Sequence, residues 1–153
     1  MTILQNSPFG EKLGMLLRNG KSLDDHRNGI LARSAETGHY NGIKTLEFKE
    51  TDPIGYERIF SKLRAGLVNS REVAKKIAAS PIVEQEGELC FTLYNVAGDC
   101  VCTSTGIIIH VGTMGAAIKY MIQNNWEINP DINDGDMFTN NDCQTGNVHP
   151  CDI

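Results

Sequence analysis

An α+β fold is predicted by three features of this 153-residue sequence. The first half carries apolar residues at helical spacing, a hairpin pattern is centred near residue 97, and an apolar run after it leads into another helical stripe. The expected architecture is a set of N-terminal helices, a long central helix, a β-hairpin and further strands of a mixed sheet with a packed helix. The length is that of one domain, residues 1–153, and is enough to bury a core. A formal net charge of −5 supplies no electrostatic footprint for nucleic acid or an anionic membrane, so neither is expected as a partner.

In chain order, Leu13, Leu16 and Leu17 place a helix over residues 9–18 that stops at Asn19-Gly20. Ser22 opens a second helix, with Asp25 returning the bond in a capping-box pattern, and Gly38 marks its end. His26 and His39 read more simply as a solvated face and a turn than as ligands. Residues 43–49, IKTLEFK, have β character. Asp52-Pro53 then starts a helix with proline in its tolerated first turn. Tyr56, Phe60, Leu63, Leu67, Ala74, Ile77 and Ala78 fit one stripe of a long helix reaching about Ala79, with Gly66 and Asn69-Ser70 as points where it could divide. Arg58, Lys62, Arg64, Arg71, Lys75 and Lys76 read as its solvated face rather than a phosphate clamp, and Pro81 ends it.

Residues 89–95 and 100–103 flank Val96-Ala97-Gly98-Asp99 as the two arms of a hairpin. Glu84 and Glu86 ahead of it read as surface residues. Glu88 abuts Leu89-Cys90-Phe91 and is expected to point inward, where a half-buried carboxylate needs a cation or a proton. Residues 106–112, GIIIHVG, read as a buried strand delivering His110 at its end, and Thr113 is expected to cap a helix from Met114 to Asn125. A strand, a glycine pair and a helix N-terminus make an anion seat at Gly112, Thr113 and Gly115, because the first helical turn leaves N–H groups free. Spacing alone leaves His110 open between a hydrogen-bonded core histidine and a ligand. Trp126 to Asp136 reads as a loop. A calcium loop fails there on register, because Gly135 falls fifth rather than sixth and no glutamate stands twelfth.

Five cysteines without a C-x-x-C pair favour free thiols in a reducing cytoplasm, with Cys90, Cys100 and Cys102 acting as small hydrophobes. No basic leader pattern opens the sequence, and no apolar run approaches the roughly 20 residues that span a bilayer. The densest chemistry is at 134–153, DGDMFTNNDCQTGNVHPCDI, which is too polar for core and rich in ligand-type side chains. Pro150 pushes His149 out of helical geometry and favours a turn. In a β-turn His149 and Asp152 become first and fourth residues with α-carbons within about 7 Å, whereas a straight strand would point them apart. One imidazole and one carboxylate converging make a partial site for Mn, Zn or Fe(II).

Three segments, SPIVEQEGELCFTLYN, TSTGIIIHVGTMGAAIKYMIQNNW and FTNNDCQTGNVHPCDI, resemble the hydantoinase B/oxoprolinase family, on its ketone-carboxylase rather than its hydantoinase branch. The resemblance covers nearly the whole chain and is most specific at NND followed by GNVHPCDI. It implies an N-terminal portion of a larger metal-binding α subunit, cut within the metal site. Such a subunit works with an ATP-binding β subunit, where ATP/Mg2+ is used, and with a small γ subunit. It converts acetone and bicarbonate to acetoacetate at a manganese-type divalent metal; the alternatives are a hydantoinase- or oxoprolinase-type subunit that opens an amide ring at the metal, or a non-catalytic assembly segment. By the same likeness His149 and Asp152 fall on metal-ligand positions and Glu88 on an acidic position of that site. Asn141 and Asp142 match the family's Asn-Asp pair, expected to contact substrate or support the ligands. His110 and the amides of Gly112 to Gly115 would then hold an oxyanion or phosphate.

Overall fold

The computed structural model describes residues 21–104, 106, 108–133 and 135–146. The helix expected over 9–18 and the pair His149 and Asp152 lie outside the described residues. The first described helix, α1 (Leu23–Thr37), starts as its sequence predicts: the Ser22 hydroxyl accepts from the Asp25 N–H, and the Asp25 carboxylate accepts from the Ser22 N–H. The Ser22 N–H first, and then the Ser22 hydroxyl donating to the same carboxylate oxygen, hold the Asp25 carboxyl below the usual carboxylate range. Gly38 closes the helix in the left-handed region, φ 70°, with its N–H on the Ser34 carbonyl.

A 3₁₀ turn (Tyr40–Gly42) follows, and then a five-residue helix, α2 (Glu47–Thr51), where β structure was expected. The correction has a physical cause. β-propensity expresses fit against neighbouring strands, and among the described residues none lies beside residues 43–49. Phe48 instead turns its edge toward Tyr56, with ring centroids 6.3 Å apart, and the Lys49 ammonium sits 5.4 Å from the Tyr56 ring centre.

The long central helix is α3 (Pro53–Ile77), 25 residues, with the Asp52 side chain capping the Gly55 N–H at 2.8 Å. Neither Gly66 nor Asn69-Ser70 divides it. It stops at an extended Ala78, ahead of Pro81 and a π turn (Ile82–Glu86). Arg71 departs from the solvated-face expectation. Its guanidinium donates to the carbonyls of Leu89 and Gly87 at 2.8 and 2.7 Å while Nη1 reaches Glu72. One side chain thus staples the segment after the π turn onto α3.

The hairpin forms as expected. Strands β1 (Thr92–Tyr94) and β2 (Cys100–Thr103) are antiparallel, with Thr92 opposite Thr103, Leu93 opposite Cys102 and an irregularity before Tyr94. In the turn, Asn95 Oδ1 accepts from the N–H groups of Ala97 and Asp99, and Gly98 takes φ 77°. Among the described residues the sheet has these two strands alone.

The strand expected at 106–112 is instead a helix, α4 (Ile108–Thr113), followed at once by α5 (Gly115–Gln123). Gly106 is pressed onto the preceding segment, since a Cβ there would stand 2.6 Å from the Leu89 carbonyl oxygen. The β-branched run past it finds no strand to pair with and continues into the helix-forming residues beyond. Thr113, the last residue of α4, is not the cap of α5. Met114 holds that position without a side-chain capping bond.

The small apolar core lies between these elements: Ile30 of α1, Ala97 of the turn, Cys102 of β2 and Ile122 of α5 are buried. The four described cysteines, Cys90, Cys100, Cys102 and Cys143, are all free thiols. At Gly115 a Cβ would meet the Gly98 carbonyl oxygen at 2.8 Å and Tyr94 Cε1 at 3.2 Å, whereas at Gly112 it would meet nothing within 4 Å. Gly115→Ala is therefore expected to destabilise the chain by about 1–3 kcal/mol. Gly112→Ala, in an open helical position, should stabilise by about 0.5–1 kcal/mol. Urea unfolding of the two variants checks the contrast in sign.

Candidate functional site

The hairpin turn is the seat on which α5 lies. Its Asp99 accepts the Tyr40 hydroxyl at 2.9 Å and pairs with the Lys119 ammonium at 2.9 Å, while Asn95 donates to the Tyr40 oxygen at 2.8 Å. Residues from three separate elements meet at one carboxylate. Burial raises the Asp99 pKa, but the hydrogen bonds from Lys119 and Tyr40 outweigh it and hold the group below its ordinary value. Burial, and then the bond to Asp99, raise the Tyr40 phenol. A cavity of about 230 Å³ opens beside this network, with Arg27 and Ser34 on its wall.

A larger cavity, about 480 Å³, lies along α5 and is walled by Ala117, Met121, Trp126, Phe138, Asn140 and Asp142 among others. Trp126 and Phe138 face each other across 5.7 Å between ring centroids. Its polar side is the Asn-Asp segment, folded back on itself. Asn140 Nδ2 donates to the Thr145 carbonyl, Asn140 Oδ1 accepts the Asp142 N–H, and Asp142 Oδ1 accepts the Gln144 N–H, each at 2.9 Å. Gly146, φ 111°, brings this turn onto the start of α5, where its Cβ position is 2.9 Å from the Thr113 carbonyl oxygen and 3.1 Å from the Ala117 nitrogen. Any residue other than glycine would lift the loop off the helix.

The expected site residues divide between these places. Gly112, Thr113 and Gly115 share the α4–α5 junction with His110, and the 140–146 turn reaches that junction through Gly146. His110 is half-buried on a helix, not at a strand end, and its carbonyl accepts the Met114 N–H at 3.0 Å. One amide of the expected anion seat is therefore engaged in the helix, and Gly115 packs against the hairpin. Gly112 is exposed. Asn141 is exposed, and Asp142, also exposed, uses one carboxylate oxygen to shape its own turn.

Glu88 does not point inward, and this expectation is corrected. The residue is exposed, while Gly87 beside it is buried at φ 70°. Arg71 holds the carbonyls on either side, of Gly87 and Leu89, and so leaves the intervening side chain facing out. Among the described residues no three histidine, cysteine, aspartate or glutamate side chains come together to hold a metal ion. The described part alone therefore does not complete a metal site. Sequence reasoning missed the Arg71 staple, the Tyr40–Asp99–Lys119 network and the Trp126–Phe138 wall. Each joins residues distant in sequence or of unremarkable type, and no local pattern announces them.

Asp99→Asn removes the charge that both partners share. Because the folded pKa is depressed, the stabilisation is present above the ordinary carboxylate range and is lost as pH falls through the depressed value. Both side chains of the ion pair are about a third exposed, at 37% and 32%, so the loss is at most about 1 kcal/mol. Urea midpoints of wild type and variant should differ at neutral pH and converge in acid.

Residues 52–153 match the family pattern described as hydantoinase B/oxoprolinase. Over all 153 residues the chain is 63% identical to the acetone carboxylase alpha subunit of Xanthobacter autotrophicus (strain ATCC BAA-1158 / Py2), and it spans 20% of that protein. It is also similar to a solved nucleotide-free structure of acetone carboxylase, from work on the mechanism of ATP-dependent acetone carboxylation. That likeness has a TM-score of 0.83 at 67% identity and covers 88% of this chain and 18% of the other. The chain thus spans about a fifth of the length of the proteins it matches. No helix among the described residues is long and apolar enough to cross a membrane. With a pattern that runs from the cap of α3 to the last residue, the chain belongs to the hydantoinase B/oxoprolinase family.

Proposed function

We propose that this chain is the N-terminal part of the α subunit of an ATP-dependent acetone carboxylase, ending within the metal site. The reading rests on one observation above the others, identity of 63% along every residue to such a subunit. In the assembled enzyme a methyl carbon of acetone gives up a proton and bonds to the carbon of bicarbonate, while one C–O bond of the bicarbonate breaks and its oxygen leaves on the phosphate that ATP supplied, forming acetoacetate. ATP with Mg2+ is spent at a β subunit, and a small γ subunit completes a cytoplasmic complex.

His149 and Asp152 are assigned as ligands of a divalent metal, Mn2+ by family likeness, with Glu88 as ligand or proton carrier. When bound, such an ion supplies a Lewis acid for the enolate oxygen. The exposed Glu88 carboxylate remains open to a ligand approaching from outside the described residues. The 140–146 turn orients Asp142 and Asn141 beside the α4–α5 junction, where His110, Gly112, Thr113 and Gly115 are assigned to anion contacts.

A second reading, metal-dependent opening of an amide ring as in hydantoinases and oxoprolinases, is favoured by the family match, which both activities share. Assay of the intact complex separates them. The carboxylase reading expects acetone to disappear only with ATP and bicarbonate present, and hydantoin to stay intact. Hydantoin hydrolysis without acetone loss would overturn it. In the full-length subunit, His149→Ala and Asp152→Ala should each deplete bound manganese, measured by elemental analysis. Unchanged manganese removes the ligand assignment. The 153-residue chain by itself is expected to show little metal affinity and no turnover.

A further inference from the structure

The amino-terminal half of α3 carries an apolar face that the described residues leave open. Helical spacing places Tyr56, Ile59, Phe60 and Leu63 on one side. Ile59, Phe60 and Leu63 are 51%, 37% and 40% exposed. Phe48 of α2 extends the face through its contact with Tyr56, whose ring in turn stacks on Phe60 at 6.3 Å between centroids. The helix is about 37 Å long, and Arg71, which binds the carbonyls of Gly87 and Leu89, stands in its carboxyl-terminal half. Exposed charges of both signs flank the open half, Lys62 and Arg64 of α3 and Lys49 of α2 against Glu57, Asp52 and Glu50. An ordered aromatic ladder with a polar border is what one side of a permanent interface presents.

We propose that this face is the seam on which the remainder of an α-subunit-length polypeptide packs, presenting an apolar centre with a mixed polar border. The inference rests on the reading under Proposed function. Two observations favour that occupant. The chain corresponds to 20% of its relative's length, so four-fifths of such a polypeptide lies outside it. The described part buries four apolar side chains while leaving many large ones exposed, so its core is incomplete.

The test is co-expression of this chain with a polypeptide matching the remaining four-fifths of the Xanthobacter autotrophicus α subunit, in parallel with co-expression with its partner subunits. Amide hydrogen exchange is read over residues 54–66. The expected result is co-purification with the remainder and at least about 10-fold slower exchange there than in the chain alone. Ile59→Glu and Leu63→Glu should each abolish co-purification while leaving the circular dichroism of the chain unchanged. Ser61→Glu, exposed on the opposite side of the helix, should not. Co-purification with unprotected 54–66 amides, or with tolerance of both glutamate variants, overturns the inference and leaves the carboxylase assignment standing. Protection that appears only with a partner subunit, or only on self-association, also overturns it. Failure of the chain to join either the remainder or the partner subunits overturns the inference together with the assignment.

Discussion

Asp99 joins elements that the chain separates widely. Tyr40, just after α1, and Lys119, in the middle of α5, both bind its carboxylate at 2.9 Å, and the turn that presents it is set by Asn95. Beneath it Ala97 and Gly98 are buried against α5, and Gly115 lets the helix approach the Gly98 carbonyl. Each contact is small in free energy. Together they fix where α5 lies, and α5 supplies one wall of the larger cavity and the surface on which the Asn-Asp turn rests. The candidate site therefore inherits its geometry from a hairpin turn that contributes no functional side chain of its own.

The second constraint is Arg71. By holding the Gly87 and Leu89 carbonyls it fixes the path by which the chain leaves α3 and enters β1, and it decides that Glu88 faces outward. An exposed carboxylate at the position proposed as a metal ligand can be reached by chain lying beyond the described residues. The open face of α3 has the same physical meaning on a larger scale. Among the described residues four apolar side chains are buried while many large ones are exposed, the pattern that further packed protein would cover.

Much of this was legible in the sequence where the cause is local. Ser22 with Asp25, Asp52-Pro53, Gly38 and the Gly98 turn act within a few residues of themselves, and each element they announce is present. Residues 43–49 and 106–112 were misread because β-branched and aromatic content expresses what a strand does beside another strand. Neither segment has such a neighbour among the described residues. Glu88 was misplaced because the decisive group, Arg71, lies 17 positions earlier and reaches it through backbone carbonyls. The Asn-Asp segment was recognised as chemically dense, yet its docking on α5 depends on Gly146, which by sequence is only a turn glycine.

The chemistry assigned to the chain turns on whether the imidazole of His149 and the carboxylate of Asp152 face one cation that Glu88 can also reach. Anomalous diffraction at the manganese edge, from crystals of the assembled complex containing this chain, addresses that most directly. The account predicts a single strong peak bonded to His149 and Asp152, with the Glu88 carboxylate bound to the ion or adjacent to it. A peak elsewhere in the subunit, with those two side chains pointing apart, would contradict it.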